Sequence, residues 1–287
     1  MKKLTCCLLY FITVLFFSCT HSNHEGKMMK TELKPDSGCA EINGVKLYYE
    51  IYGQGEPLLY LHGGISSGKD FREYIPDLSK KFQVITVDRR GHGRSFDNGE
   101  PYSYAAMGDE MNAFMDYMKI DSAYVMGWSD GGVVGFHLAG KYPERVRKLI
   151  AVGANYLVTG MTPGMIEWIE TQMTAEGVAA SIPGIKRDYL ANNPQPENYA
   201  SFISRSRDMW LREPYMERED FINIGVPVLL VAGDKDDVTL EHMAEMYSLL
   251  ENAQLCILPD TDHFVFAQRD ETVLQVIYKF LNTKMEK

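Results

Sequence analysis

The stretch Gly127-Trp128-Ser129-Asp130-Gly131-Gly132 constrains this chain more than any other. An apolar run, Ala123-Tyr124-Val125-Met126, leads into it, and residues 133–141 continue with helical periodicity. Strand, tight turn and helix in that order put a serine at the apex of a G-x-S-x-G turn. The glycines carry the constraint. A side chain at Gly127 or Gly131 would crowd the packing of strand against helix, and the strained turn lifts the serine hydroxyl clear of the sheet edge, above the helix N-terminus. The alternative for such a stretch is a Gly-rich turn with a bystander serine, and the rest of the chain decides between the two.

The remaining pattern alternates strands with helices. The Asn43-Gly44 pair lies between two strand-like runs, 41–42 and 45–52, and reads as a hairpin turn because both residues tolerate positive φ. Strands are expected at 57–61, 82–88, 146–153, 226–233 and 254–258. Helices are expected at 70–81, with Pro76 as a break, and at 104–118, 239–250 and 268–281. Such alternation implies a mostly parallel sheet flanked by helices on both faces, with an antiparallel pair at its start. At 287 residues, 45% of them hydrophobic, the chain has enough core for one large α/β domain. Between about 155 and 220 no strand is legible. Trp168, Trp210, Met165 and Met209, with scattered Pro and Gly, suggest a helical cap over the C-terminal edge of the sheet, where ligands bind in open α/β sheets. Those four side chains either line an apolar pocket or form the cap's own core, the more ordinary outcome.

The N-terminus is a different kind of sequence. Lys2 and Lys3 precede an apolar run over 8–17 that is short for a membrane span, followed by Ser18-Cys19. This resembles a bacterial lipoprotein signal, although Phe16-Phe17 departs from the usual Leu and small residue. The expectation is a signal peptide at 1–18, a lipidated Cys19, a flexible tether at 19–38 and a globular domain at 39–287. The protein would be exported and held to the membrane by its lipid alone, facing the periplasm or cell surface; an ordinary secretory signal or an uncleaved anchor is the alternative. A formal net charge of -10 with no Lys/Arg block excludes nucleic acid as a natural partner. Cys39 and Cys256 are the cysteines of the domain, and Cys256, in an apolar run, reads as a buried thiol. No C-x-x-C or His/Cys cluster is present, so no metal site is expected. The chain carries no legible signal for an oligomeric state.

A serine hydroxyl is a poor nucleophile without a base, and the base needs a carboxylate to orient it. On a strand–turn–helix serine of this type the chain order is Ser, acid, His. Downstream of Ser129 lie His137, on the helix after the turn, His242, in a helix and expected at the surface, and His263. His263 follows the last strand in a loop at the same sheet edge as Ser129, and is the expected base. The acid should come from Asp234-Lys235-Asp236-Asp237. Asp234 is placed to shape the turn; Asp236 is best placed to reach a histidine, with Asp237 as the alternative acid or as a cap for the next helix. An oxyanion would be received by the backbone N–H of Asp130 and by one from His62-Gly63-Gly64-Ile65, Gly64 preferred and Ile65 the alternative. Each such donor lowers a barrier by roughly 2.7–4 kcal/mol. His62 reads as a loop-structuring side chain, and Gly91-His92-Gly93-Arg94-Ser95 as a tight turn without the spacing of a phosphate cradle.

Together, the His62-Gly63-Gly64 loop, the Asp88-Arg89-Arg90-Gly91-His92-Gly93-Arg94-Ser95 turn, the serine turn and the Asp and His loops resemble the α/β-hydrolase superfamily from about residue 39 onward. Gly127-Trp128-Ser129-Asp130-Gly131-Gly132 with Gly153-Ala154-Asn155 resembles its valacyclovir-hydrolase-like (biphenyl-hydrolase-like) branch. The resemblance implies an α/β-hydrolase fold and hydrolysis of a small-molecule carboxylic ester by Ser129, Asp236 and His263, with no metal and no organic cofactor. In that branch the acid beside the serine is tied to amino-acid esters. Asp130 would then pair with a substrate ammonium, unless it is a solvated carboxylate at a helix N-terminus. Trp128 and Ile65 are the other candidate substrate contacts. Hydrolysis of a C–C or an amide bond on the same triad, or a membrane-tethered binding protein without chemistry, are the alternatives.

Overall fold

The computed structural model describes residues 33–266 and 271–283; the signal region 1–18, Cys19 and the tether up to residue 32 lie outside the described residues. The chain forms one eight-stranded sheet of β1 (Asp36–Ile42), β2 (Val45–Tyr52), β3 (Glu56–Leu61), β4 (Phe82–Val87), β5 (Ala123–Trp128), β6 (Val146–Val152), β7 (Val228–Lys235) and β8 (Ala253–Asp262), in the order β1-β2-β4-β3-β5-β6-β7-β8. β1 opens at Asp36, inside the stretch expected as tether. The β1–β2 and β2–β4 pairs are antiparallel and every later pair is parallel. Ile42 pairs with Val45 across Asn43 (φ 51°) and Gly44 (φ 79°), the two positive φ values that a two-residue hairpin needs. β7 and β8 run further than expected because Asp234 Oδ1 accepts from the N–H of Thr261 at 3.1 Å, carrying the pair on to Lys235 and Asp262.

Side chains alternate along the strands between two cores. In β3, Leu58 and Tyr60 enter one while Leu59 and Leu61 enter the other. The first core packs against α1 (Ile75–Leu78) and α10 (Glu271–Asn282), through Leu78, Ile277 and Phe280. The second packs against α2 (Tyr104–Tyr117) and α3 (Asp130–Lys141), through Met107, Met111, Phe114 and Phe136. Each such fully buried Leu, Met or Phe contributes roughly 1.5–3 kcal/mol. The helix expected over 70–81 shrinks to α1, preceded by a 3-10 turn at Gly68–Phe71. Pro76 lies in the first turn of α1 and opens that helix instead of breaking it, because the N–H it lacks would have no helical partner there.

Between β6 and β7 the chain leaves the sheet for α4 (Pro163–Thr171), α5 (Ala175–Ser181), α6 (Pro183–Asn192), α7 (Tyr199–Trp210) and α8 (Arg218–Ile222). Ile169, Phe202, Ile203 and Met209 are buried at the centre of this insert. It is fastened to the turn that follows β4. There Gly91 (φ 76°) and Gly93 (φ 50°) fold the chain tightly, and Asp88 accepts from the N–H of Gly68 and from Arg94. Asn193 donates to the carbonyls of Gly91, Gly93 and Ser95, Gln195 accepts from the N–H of Asp97, and Arg205 pairs with the Asp97 carboxylate. After β7, α9 (Leu240–Leu249) is capped by Thr239, whose hydroxyl accepts from the N–H of His242; Asp237 does not serve as that cap. Cys39 and Cys256 lie on opposite edge strands, seven strand spacings of about 4.8 Å apart, far beyond disulfide reach. Cys256 is only half-buried, because β8 is the outermost strand and has no neighbour beyond it. Among the described residues no helix is long and apolar enough to cross a membrane.

Candidate active site

At the end of β5 the chain reverses at Ser129, φ 52° and ψ −123°, and enters α3 at Asp130. A positive φ on a non-glycine residue costs about 1–3 kcal/mol and persists only where the surroundings enforce it. Here the Ser129 N–H donates to Val152 O at 2.7 Å, tying the turn to β6. A Cβ on Gly127 would fall 2.2 Å from the Gly131 backbone, and one on Gly131 would fall 2.0 Å from Leu61 O. The helix therefore sits against the strands only because both positions are glycine.

Three predicted residues from three loops meet at this turn. Ser129 Oγ lies 3.0 Å from His263 Nε2, and His263 Nδ1 lies 2.7 Å from Asp236 Oδ1. A carboxylate can only accept, so Nδ1 carries the proton and Nε2 is free to accept from the serine. Asp236 is buried and held in place: Oδ1 also accepts from Val238 N–H at 3.1 Å and Oδ2 from Gly233 N–H at 3.4 Å. Burial opposes charge on His263, but the hydrogen bond and charge of Asp236, aided by Asp237 and Asp130, outweigh it and raise the imidazole above the ordinary histidine range. The His263 loop is anchored at its backbone, where Trp128 Nε1–H donates to His263 O at 2.9 Å. Asp236 and not Asp237 meets the ring. Asp237 faces the cavity beside it, and burial pushes its carboxyl up from the usual range.

The other histidines lie elsewhere. His137 packs against Gly108 of α2. His242, expected at the surface, is 5% exposed. The insert's first residues fold over α9, so His242 stacks on Tyr156 with ring centroids 4.9 Å apart, occupies the space a side chain at Gly160 would need, and pairs with Glu245 at 3.3 Å. His62 is buried as a loop-structuring group. Its Nε2 accepts from Arg89 N–H at 2.9 Å and its Nδ1 lies 2.7 Å from Gly63 O, while burial and the Arg89 charge hold it well below the usual range.

Ser129 and His263 open into a cavity of about 200 Å³ bounded by the sheet edge and the insert. Gly64 and Ile65 form one wall. A Cβ on Gly64 would fall 2.2 Å from the Trp210 ring and 2.7 Å from Asp130 Oδ2, so glycine is required there too. Trp128, Trp168, Met165 and Trp210 line the space, whereas Met209 belongs to the core of the insert. Asp130 is not the solvated carboxylate of a helix end. It is 5% exposed, and accepts from Tyr104 OH at 2.8 Å and from Trp210 Nε1–H at 3.1 Å. Glu213 was not legible as a site residue; it reaches the cavity from beyond α7 and accepts from Tyr104 N–H at 2.8 Å. Among the described residues the lining thus carries three carboxylates, from Asp130, Glu213 and Asp237, and no lysine or arginine. A second cavity of about 360 Å³ shares Ile65, Trp128, Ile182 and Phe264 with the first and is lined also by Lys69, Asp70, Arg94 and Asp188.

A buried, oriented Ser–His–Asp relay beside backbone N–H groups is equipped for acyl transfer. Comparison with known proteins agrees with hydrolytic chemistry on this fold. Residues 56–270 match the family model described as alpha/beta hydrolase fold. The serine hydrolase BPHL of Mus musculus is 28% identical over 249 residues, covering 84% of each chain. The 2-hydroxy-6-oxo-2,4-heptadienoate hydrolase of Pseudomonas putida is 23% identical over 265 residues, covering 83% of this chain and 93% of its own. Among solved structures, carboxylesterase CesB of Bacillus subtilis matches with a TM-score of 0.75 at 18% identity over 88% of this chain and 93% of that one. An E-2-(acetamidomethylene)succinate hydrolase matches with a TM-score of 0.73 at 21% identity over 87% and 100%. At those identities the structures speak for the fold alone. The family match over most of the sheet and its loops shows that this chain belongs to the alpha/beta hydrolase fold family.

Proposed function

We propose that the protein is a serine hydrolase that cleaves a small-molecule carboxylic ester through an acyl-enzyme. The observation that carries this reading is the unbroken relay from Asp236 through His263 to Ser129, open to a cavity at its serine end. His263 Nε2 takes the Ser129 proton as Oγ attacks the ester carbonyl, and Asp236 stabilises the imidazolium. The backbone N–H groups of Asp130 and Gly64 receive the oxyanion. Collapse of the tetrahedral intermediate breaks the ester C–O bond, and the alcohol leaves with the proton from His263. Water, deprotonated by His263, then attacks the acyl-enzyme and releases the carboxylic acid. In Ser129→Ala, kcat on an activated ester should fall by about 10⁶; full turnover would overturn the reading. A wild-type protein that is folded but not labelled by a fluorophosphonate would favour a non-catalytic binding protein.

A narrower substrate class has its own support. Asp130, Glu213 and Asp237 line the same cavity; buried Arg89 balances Asp130 from outside the wall, while among the described residues no lysine or arginine lines the cavity beside Glu213 and Asp237, and Trp168 and Trp210 add aromatic faces. That combination favours an ammonium group near the scissile bond, hence an amino-acid ester. An aminoacyl ester should exceed its desamino analogue in kcat/KM by at least about tenfold, equivalent to about 1.4 kcal/mol; equal values would reject ammonium recognition. Turnover of a C–C or amide substrate in preference to matched esters would move the assignment to another bond on the same relay.

For the residues before the domain we propose export and lipid attachment at Cys19, supported by the basic, apolar and Ser18-Cys19 pattern. Cys19→Ala should release the protein from the membrane fraction, and unchanged partitioning would defeat the proposal.

A further inference from the structure

Arg89 follows β4, the neighbour of β3 in the sheet, and its side chain runs sideways beneath the loop that leaves β3. It is 0% exposed. One guanidinium nitrogen, Nη2, donates to His62 O at 2.8 Å and to Gly63 O at 2.9 Å. The Arg89 backbone N–H donates to His62 Nε2 at 2.9 Å. A neutral imidazole that accepts at Nε2 carries its proton on Nδ1, so His62 Nδ1–H donates to Gly63 O at 2.7 Å. Gly63 O therefore receives two donors, which together fix the plane of the Gly63–Gly64 peptide. In a trans peptide the N–H points opposite to the C=O. Arg89 and His62 hold the carbonyl on the buried side, and the Gly64 N–H is thereby turned to the other side, where Gly64 forms the cavity wall shared with Ser129. Ile65, next in the chain, is kept at φ 46°, which a β-branched residue adopts only under constraint.

We infer that Arg89 is a positioning residue for the oxyanion donor at Gly64, acting through the Gly63–Gly64 peptide without touching substrate. The inference rests on the serine-hydrolase reading above. It has an orienting part and an electrostatic part. A cation on the carbonyl oxygen polarises the peptide, so the N–H on its other side becomes a stronger donor to the developing alkoxide. Lysine does not substitute, because its ammonium nitrogen lies one bond nearer the main chain than Nη2 and falls short of the two carbonyls that Nη2 bridges. A merely structural Arg89, serving as buried counter-charge to Asp130, predicts a different outcome: fewer folded molecules, each with normal chemistry.

The test uses the full chain, wild type and with Arg89→Lys and Arg89→Gln. Fluorophosphonate titration counts competent sites at its endpoint. kcat and KM are then measured per titrated site on one carboxylic ester and on its thiono analogue, whose sulfur is a poorer hydrogen-bond acceptor. Positioning predicts a per-site kcat lower by about 10–100-fold, short of the loss of a whole donor. It also predicts a nearly unchanged KM and a smaller preference for the oxygen ester over the thiono ester. A per-site kcat close to wild type with an unaltered oxygen-to-sulfur ratio in both variants would overturn the inference and leave the hydrolase reading intact. A wild-type protein that neither titrates nor turns over any ester would sink the hydrolase reading, and this one with it.

Discussion

The glycines of α3 offer a test in which one chemical change has opposite signs a few turns apart. Adding a methyl to Gly131 places its Cβ 2.0 Å from Leu61 O, 2.5 Å from Leu61 C and 2.7 Å from His62 O. All three are backbone atoms of β3 and of the oxyanion loop, so no side chain can swing aside. Ordinary contact begins near 3.4 Å, so the helix start or the loop must retreat by roughly 1.4 Å. Overpacking of this kind costs about 1–3 kcal/mol. A displacement of about 1 Å at reacting groups costs on the order of 10²-fold in rate. Gly140, on the same helix, is exposed, and a Cβ there meets only Ile224 Cγ1 at 3.7 Å. Gly140→Ala should therefore stabilise by about 0.5–1 kcal/mol through helix propensity alone. For a domain of this size, 1 kcal/mol moves Tm by about 2–4 °C. Gly131→Ala should lower Tm by several degrees and reduce kcat per titrated serine by about 10², while Gly140→Ala raises Tm and leaves kcat unchanged. Differential scanning fluorimetry and ester kinetics on titrated enzyme read both. A Gly131→Ala protein with wild-type Tm and wild-type per-site kcat would refute the claim that this contact holds the loop and the helix in register.

Because His263 must be neutral to act as a base and its pKa is raised, kcat/KM should climb with pH around a midpoint above the ordinary value of about 6.5. In Asp236→Asn the largest of the groups that raise it is gone and only Asp237 and Asp130 remain against burial, so the midpoint should move to lower pH while kcat falls by about 10⁴; a midpoint that moves upward would contradict the attribution. Trp128→Phe keeps an aromatic ring against Gly63 but removes the N–H donated to His263 O, so a stability loss of about 0.5–1.5 kcal/mol with a several-fold fall in kcat is expected from melting and kinetics. His242→Ala leaves an unfilled space between Tyr156 and Gly160 and should destabilise by about 2–4 kcal/mol in denaturant titration; a cost under 0.5 kcal/mol would show the ring to be as peripheral as its helix position suggests.

What was legible in the sequence was local. The Asn43-Gly44 hairpin, the apolar strands and the serine turn are each specified by neighbours in the chain, and each is present at the expected place in the chain order, although β1, β7 and β8 extend beyond the expected bounds. The relay partners were legible because each sits just beyond the end of a recognisable strand. Choosing Asp236 over Asp237 depended on how the loop folds back, and the bonds from Gly233 and Val238 to the Asp236 carboxylate settle which side chain points inward. What the pattern left hidden depends on the insert. His242 and Asp130 look like surface residues of their helices until Tyr156, Gly160 and Trp210, far away in the chain, cover them. Glu213 lies in a stretch without periodicity, and nothing near it in sequence marks it as a neighbour of Tyr104.

The fastening of the insert to the turn after β4 bears on how such proteins diversify. An insert joined to its sheet only by its two chain ends can be exchanged as a module. Here Asn193 occupies the carbonyls of Gly91, Gly93 and Ser95, Gln195 bonds the backbone of Asp97, and Arg205 neutralises the Asp97 carboxylate. A graft from a relative lacking those three side chains would strand buried acceptors at a junction several residues from any splice point, at about 1–3 kcal/mol for each unsatisfied group. Substrate range in this chain is thus inherited together with a piece of the scaffold. Recombination that respects the seam has to carry residues 88–97 along with the insert.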